Sequence, residues 1–147
     1  MLATKQVKSF DPTTFIDPGW SYVRDPRSAI LGLLDDYSKV KLSTDWLQGQ
    51  SVVDGETRRV RILTQPKRIS LNADHFFDIW ANPKKFVLSS WKGVITFDGG
   101  VLLDPSGESH TLFLYWDGLA LDWGFGTLKD KYGPDYRLIF VGDAAMS

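Results

Sequence analysis

The sequence predicts one α+β domain, in which a twisted antiparallel β-meander has two short helices packed on it. Turn signals recur about every ten residues in the second half of the chain, a spacing typical of antiparallel strands that follow one another. Two earlier segments carry helix start signals instead. The length of 147 residues fits a single domain, and no internal repeat or low-complexity segment interrupts the sequence.

The N-terminal segment, residues 1–24, is predicted to be an extended arm ahead of a single α+β domain at residues 25–147. Asp-Pro occurs at 11–12 and again at 17–18, and prolines at this interval argue against a helix. The arm is therefore expected to be a loop that contains, at most, one edge strand.

The first helix is predicted to begin after Asp25, which can cap it, with Pro26 at the first helical position. Four apolar residues then predict one buried stripe, because they stand at i, i+3, i+4 and i+7: Ile30, Leu33, Leu34 and Tyr37. The helix is expected to end near residues 38–40.

The second helix is predicted over residues 72–82. Asn72 can cap its N-terminus, and Pro83 stops it. Its apolar face, which is expected to pack on the sheet, consists of three residues: Phe76, Ile79 and Trp80.

The strands are predicted mainly from Asp-Gly pairs, which tolerate the positive φ angles of two-residue hairpin loops. Asp54-Gly55 predicts a first hairpin, whose return strand has the sequence ETRRVRILT. Asp98-Gly99 predicts a second hairpin, and Asp117-Gly118 predicts a third. Asp104-Pro105-Ser106-Gly107 fits a type I turn, and residues 136–141 are the predicted last strand.

The third hairpin divides the sheet into two faces, because a two-residue loop fixes how its strands pair. Pairing Trp116 with Leu119 places an apolar set on one face, which only His110 interrupts, so this face is predicted to be core. The opposite face carries Phe113, Tyr115 and Asp122. It is predicted either to be an exposed aromatic surface or to lie under a helix.

Composition and charge exclude several classes of function. The chain has no Cys, which rules out disulfides, thiol catalysis and iron–sulfur ligation and fits the reducing cytoplasm as its location. We expect no signal peptide and no membrane partner, because no apolar stretch reaches the roughly 18 residues of a membrane span. The net charge of −1 gives no general attraction to nucleic acid.

Residues 57–92 are nevertheless basic, with eight Lys or Arg against two acids. Aromatic residues are interleaved with them, and this combination suits a protein that follows a phosphate backbone and stacks on bases. The side chains expected to bind are Arg58, Arg59, Arg61, Lys84 and Lys85. The alternative is a solvated basic face above a core that contains the aromatic side chains.

Candidate catalytic and metal-binding residues are few. The phosphate-binding and nucleophile motifs with fixed glycine spacing are absent. His75 and Asp78 stand at i and i+3 on the second helix, but a strong metal site needs three or four ligands. Asp104, Ser106 and Glu108 could offer oxygens to a cation, although turn chemistry already accounts for that segment. We therefore assign no cofactor, catalytic residue or metal ligand.

These observations favour a non-enzymatic binding or assembly module that acts through the aromatic sheet face, the N-terminal arm or both. Catalytic motifs are missing, whereas Trp and Tyr are favoured at the centres of protein interfaces. The expected partner is a protein, either a second copy or another chain. The alternative is a nucleic-acid-binding domain that uses the basic segment at residues 57–92. A hydrolytic or metal-dependent enzyme is the third candidate.

Overall fold

The computed structural model describes residues 9–35, 37–86 and 93–142, with the exception of the Lys85 side chain. Its helices are α1 (Pro12–Phe15), α2 (Pro26–Leu31), α3 (Gly55–Leu63) and α4 (Ala73–Ala81). Its strands are β1 (Ser21–Arg24), β2 (Lys41–Ser43), β3 (Val53–Asp54), β4 (Arg68–Ser70), β5 (Val94–Leu103), β6 (Ser109–Trp116), β7 (Leu121–Thr127), β8 (Lys131–Tyr132) and β9 (Tyr136–Gly142). Single 3-10 turns form at Asp45–Leu47 and Pro83–Lys85. None of the described helices has the length and hydropathy needed to cross a bilayer.

The predicted α+β class is confirmed, because the main sheet is mostly antiparallel and helices pack on it. Within this sheet, β2, β9, β5, β6 and β7 lie side by side in that order. β1 pairs with the second half of β5, and β4 pairs with the end of β9. β9 returns to the other side of β5 and runs parallel to it. The meander is therefore limited to β5, β6 and β7.

The sheet is covered on both faces. On one face, α4 packs against β5 and β6 in a buried cluster that also includes Ile139 of β9: Phe76, Ile79, Ile95, Phe97, Leu112, Leu114 and Ile139. On the other face, α3, β8 and the turn at Asp45–Leu47 form a smaller cluster: Trp46, Val53, Ile62, Tyr132, Leu138 and Phe140. Full burial of one large apolar side chain contributes about 1.5–3 kcal/mol, so these two clusters dominate the stabilisation.

Helix α4 confirms the second predicted helix. The Asn72 side chain accepts a hydrogen bond from the Asp74 N–H at 2.8 Å, and His75 Nδ1 accepts one from the Asn72 N–H at 3.0 Å. These bonds satisfy N–H groups that a helix start leaves unpaired. Asn82 ends the helix, and Pro83 follows in a 3-10 turn.

Helix α2 starts as predicted but ends earlier. Asp25 caps it and Pro26 occupies its first position, yet the helix stops at Leu31. Gly32 follows with a φ of 70°, a positive value that glycine adopts without steric cost and that cannot continue the helix. The predicted apolar stripe is therefore wrong, and Ile30 is 85% exposed.

Helix α3 replaces the first predicted hairpin. The Asp54 side chain accepts a hydrogen bond from the Thr57 N–H at 2.7 Å and so caps a helix. Gly55 opens this helix, where a Cβ would lie only 2.7 Å from the backbone of Leu128. The predicted strand alternation is therefore wrong, and Val60 is 59% exposed.

Strand β5 runs through the second predicted loop, so that hairpin prediction is wrong. Asp98 and Gly99, expected at a turn, are buried within the strand. The pairing of β5 with β6 is irregular between Phe97 and Leu102. Gly99 permits this course, because a Cβ there would lie 2.6 Å from the carbonyl oxygen of Ser70.

The β6–β7 hairpin is confirmed, but its register differs by two residues from the prediction. Trp116 pairs with Leu121, and the Asp117 N–H bonds the Ala120 carbonyl oxygen at 3.0 Å across a longer loop. The predicted two-residue loop at Asp117-Gly118 is therefore wrong. A shift of two residues leaves each strand side chain on its predicted face, because side chains alternate with a period of two.

Residues 9–24 of the predicted arm join the fold. Phe10 is 3% exposed in the core, and β1 pairs with β5. The prediction of an extended segment is wrong at α1, where the Asp11 side chain accepts a hydrogen bond from the Thr13 N–H at 3.0 Å. Pro12 is the first residue of this helix, a position that requires no N–H. The domain boundary at residue 24 stays a prediction.

Candidate functional site

Strand β7 lies at one end of the strand order, so one of its edges faces away from the described sheet. Residue pairs in an antiparallel ladder alternate between hydrogen-bonded and non-hydrogen-bonded. The Leu128 N–H bonds the Ser109 carbonyl oxygen at 3.3 Å, which sets the phase of this alternation. The backbone groups that point to the outer edge therefore belong to Leu121, Trp123, Phe125 and Thr127.

Acidic side chains accept hydrogen bonds from two of the outer N–H groups. Asp122 Oδ1 accepts a hydrogen bond from the Trp123 N–H at 2.8 Å, and Asp130 Oδ2 accepts one from the Thr127 N–H at 3.1 Å. Such contacts protect an edge strand from uncontrolled pairing. Within the described ranges, no group bonds the outer N–H groups of Leu121 and Phe125, and Phe125 lies between the two residues whose N–H groups are occupied.

Large apolar side chains are exposed beside this edge. Trp116 is 51% exposed, Leu119 is 91% exposed and Phe125 is 36% exposed. Leu112 and Leu114, on the same face as Trp116, are buried, so the core ends before the tip of the hairpin. The prediction that this whole face is core is therefore wrong at its tip and at Phe125, which lies opposite Leu112 on the edge strand. We call these three exposed side chains and the outer edge of β7 the hairpin surface.

The hairpin surface is acidic. Residues 109–128 include Asp117 and Asp122 but no Lys or Arg. The N–H groups of Ala120 and Leu119 each donate to Asp117 Oδ1 at 2.8 Å, and these bonds lower the pKa of the Asp117 carboxyl. This carboxylate therefore keeps its negative charge at neutral pH.

Phe113, Tyr115 and Asp122 lie together on the opposite face, where the first two are half-buried. The Phe113 ring packs edge-on against Tyr136, with ring centroids 5.6 Å apart. The Tyr115 hydroxyl donates to Asp122 Oδ2 at 3.4 Å. A Cβ at Gly124 would lie 3.1 Å from the Phe113 ring, so this glycine makes room for an aromatic ring of the same sheet.

Arg58, predicted to bind nucleic acid, is a core residue. Its guanidinium donates to Asp98 Oδ1 at 2.7 Å, and the two side chains are 1% and 0% exposed. The guanidinium also donates to the Thr96 hydroxyl, which in turn donates to Asp98 Oδ2 at 2.6 Å. Its central carbon lies 4.4 Å from the centroid of the Trp46 ring. This network connects α3 to β5 and leaves Arg58 inaccessible to a ligand.

The other predicted nucleic-acid ligands differ in their surroundings. Arg59 and Arg61 donate to backbone carbonyl groups at 3.0–3.3 Å. Lys84 is exposed, whereas the Lys85 side chain lies outside the described part of the chain. The burial of Arg58 removes one predicted ligand, and nucleic-acid binding by the other residues stays a prediction.

One group of possible metal ligands occurs in the described part of the chain, at Asp104, Glu108 and His110. Asp104 Oδ2 lies 3.0 Å from His110 Nε2. The predicted turn is present, since the Gly107 N–H bonds the Asp104 carbonyl oxygen at 2.8 Å. Hydrogen bonds from His110 and Ser106 hold the pKa of the Asp104 carboxyl well below its usual range.

The other candidate metal pair, His75 and Asp78, supports the fold. His75 Nδ1 accepts the hydrogen bond from Asn72, so Nε2 carries the proton that it shares with the Gly32 carbonyl oxygen at 2.6 Å. The Tyr37 hydroxyl donates to Asp78 Oδ2 at 2.8 Å. Burial lowers the pKa of His75, because the charged imidazolium loses its hydration.

Comparisons with protein-family models, curated proteins and solved structures found no match to this chain.

The hairpin surface was missed by reasoning from the sequence, because its side chains continue a pattern that is also typical of a core. Trp116 and Phe125 share the alternation of Leu112 and Leu114, which are buried. Leu119 offered the usable signal, since a large apolar residue in a predicted turn has few neighbours to cover it.

Proposed function

We propose that this chain is a non-enzymatic binding module that accepts an extended segment of a partner protein at the hairpin surface. Phe125 carries the proposal, because its N–H is an open donor on an edge strand and its side chain is exposed beside it. A segment that adds a strand to an open edge gains affinity from main-chain hydrogen bonds and specificity from side-chain contacts.

The partner segment is expected to be basic and partly apolar. Asp117 and Asp122 attract Lys or Arg, and the hairpin carries no positive residue to compete with them. A cation over the exposed Trp116 ring adds about 0.5–1 kcal/mol. Apolar side chains of the partner would cover Leu119 and Phe125.

The footprint of the partner on the edge is short. The N–H groups of Trp123 and Thr127, on either side of Phe125, already bond carboxylates of this chain. Main-chain pairing is therefore limited to about two hydrogen bonds around Phe125. We expect a transient interaction, since small interfaces are generally weak.

We propose another protein, rather than a second copy, as the partner. Two copies joined at this edge would bring acidic surfaces together, which is unfavourable. The cytoplasm is the proposed location, because the chain has no Cys. No membrane partner is proposed.

A nuclear magnetic resonance titration tests the proposal. The probe is a short synthetic peptide of alternating Val and Lys, and the matched probe alternates Val and Glu. We expect the Val-Lys peptide to shift the amide signals of residues 116–125, most strongly that of Phe125, and the Val-Glu peptide to leave them unchanged. Equal shifts with both peptides, or none with either, would contradict the proposal.

Matched variants distinguish binding at this surface from non-specific binding to exposed apolar side chains. Trp116→Thr combined with Phe125→Thr removes two exposed rings and should abolish the shifts. Ile30→Thr removes an apolar side chain that is 85% exposed at a distant helix and should leave the titration unchanged. If the mass of the free protein instead rises with its concentration, and the double variant does not show this rise, the occupant of the surface is a second copy.

A further inference from the structure

We propose that Asp104, Glu108 and His110 form a binding site for a divalent transition-metal cation at the start of β6. One ligand atom from each residue lies within 4.8 Å of the other two. Ligands that share a cation at about 2.0–2.2 Å lie roughly 3–4 Å apart, so small side-chain rotations can bring the three atoms around one centre.

The turn holds Asp104 with one oxygen left for a cation. Its Oδ1 accepts hydrogen bonds from the Ser106 N–H at 2.9 Å, the Ser106 hydroxyl at 2.6 Å and the Glu108 N–H at 2.9 Å. Its Oδ2 faces His110 Nε2 at 3.0 Å instead. Metal-binding carboxylates are commonly oriented in this way by hydrogen bonds to the protein.

His110 distinguishes this cluster from an ordinary acidic turn. Its side chain is 8% exposed, and its ring centroid lies 5.2 Å from that of Trp20 and 5.1 Å from that of Phe125. Among the described residues, no group outside the cluster bonds Nε2, which donates to Asp104 Oδ2 at 3.0 Å. A cation would bind Nε2 in place of this proton, with the ring proton on Nδ1, which is buried without a partner.

The donor set selects the class of cation. One imidazole nitrogen with two carboxylates suits Zn²⁺, Mn²⁺, Co²⁺ or Ni²⁺, whereas Ca²⁺ requires six to eight oxygens. A surface depression lined by Glu56, Ser106, Glu108 and Lys129 reaches one of the three ligands, Glu108. Lys129 Nζ lies 3.4 Å from Glu108 Oε2, but its side chain is 83% exposed and can move aside.

Isothermal titration of the full chain with Zn²⁺ measures the affinity. We expect one equivalent to bind, with affinity falling as pH is lowered, because protons compete for the ligands. Glu108→Gln and His110→Gln should each weaken binding at least about tenfold. Glu56→Gln changes a carboxylate that lines the same depression outside the ligand set, and it should bind Zn²⁺ as the wild type does.

Mn²⁺ locates the site independently of affinity. In spectra of the ¹⁵N-labelled protein, Mn²⁺ should broaden the amide signals of residues 104–110 and the indole signal of Trp20. Absence of Zn²⁺ binding, unchanged binding in Glu108→Gln, or broadening centred at Asp117 instead would overturn the proposal. The last result would indicate an adventitious ion only. Glu108→Gln keeps the test valid if His110→Gln does not fold.

This inference does not depend on the proposed function. The metal titration uses no peptide, and the peptide titration is performed with a chelator present. A metal site without peptide binding, or peptide binding without a metal site, would therefore be recognised as such.

Discussion

Replacing Asp98 by Asn is expected to destabilise the protein strongly. The substitution removes the charge that faces Arg58 Nη1 at 2.7 Å, and the Arg58 side chain is 1% exposed, so its guanidinium cannot reach water from its present position. Removing one partner of a buried ion pair costs about 3–5 kcal/mol. Single domains have a total stability of about 5–15 kcal/mol, so this loss is a large fraction of the whole.

Urea-induced unfolding, followed by Trp fluorescence and circular dichroism, measures the loss. For a chain of this length, about 3–5 kcal/mol corresponds to a fall in Tm of roughly 6–20 °C. Asp45→Asn is the matched control, because Asp45 pairs with Arg68 at 2.7 Å while 52% exposed. Such a pair contributes about 0–1 kcal/mol. Equal losses in the two variants would refute the reasoning.

The destabilisation caused by Asp98→Asn should disappear, or become a stabilisation, when Arg58 is absent. In an Arg58→Met background, the Asp98 carboxylate is the unpaired buried charge. Asp98→Asn then removes that charge and should be neutral or stabilising. A further large loss in this background would show that Asp98 stabilises the fold by something other than its ion pair with Arg58.

Three further predictions test the fold. Stability should fall as pH drops through about 6.5, the pKa of His in the unfolded chain. The native pKa of His75 is lowered, so below this pH the unfolded chain binds a proton that the native chain does not. The difference between urea midpoints above and below this pH should be smaller in His75→Gln, and an unchanged difference would contradict the assignment. Gly99→Ala should lower the free energy of unfolding by about 1–3 kcal/mol, because its Cβ would lie 2.6 Å from the carbonyl oxygen of Ser70. Gly133→Ala is the control and should lower it less in the same assay, because the nearest atom to its Cβ would be at 3.3 Å. Phe76→Ala should lower the free energy of unfolding by about 3–5 kcal/mol, since Phe76 is fully buried between α4 and the sheet. A loss below about 1 kcal/mol would mean that α4 is not packed as described.

Local signals predicted the elements whose ends are set by neighbours in the sequence. Asn72 and Pro83 delimit α4, and Asp117-Gly118 marks the hairpin between β6 and β7. Asp54-Gly55 misled because Asp caps a helix as readily as it starts a turn. The close contact of Gly55 with Leu128 comes from a distant part of the chain, and no local pattern reveals it.

The candidate sites were harder to predict, because the type of a charged or aromatic residue does not show whether it is buried or exposed. Arg58 stands in a basic run that is typical of a surface, and its partner Asp98 lies 40 residues further along, in a predicted loop. Trp116 and Phe125 stand in an alternation that is typical of a core. Trp116 is exposed because the core ends before the hairpin tip, and Phe125 lies opposite buried Leu112 but on the edge strand β7, and the sequence of these strands specifies neither position.

Site-specific photocrosslinking tests the central claim most directly. A photoreactive amino acid is placed at Leu119, in the hairpin surface, or at Ile30, which is similarly exposed on α2. After illumination of cells that produce the protein, the account predicts a discrete polypeptide adduct at position 119 whose attached segment is extended and basic, and none at position 30. No adduct at 119, or the same adducts at both positions, would contradict the claim that the hairpin surface binds a partner.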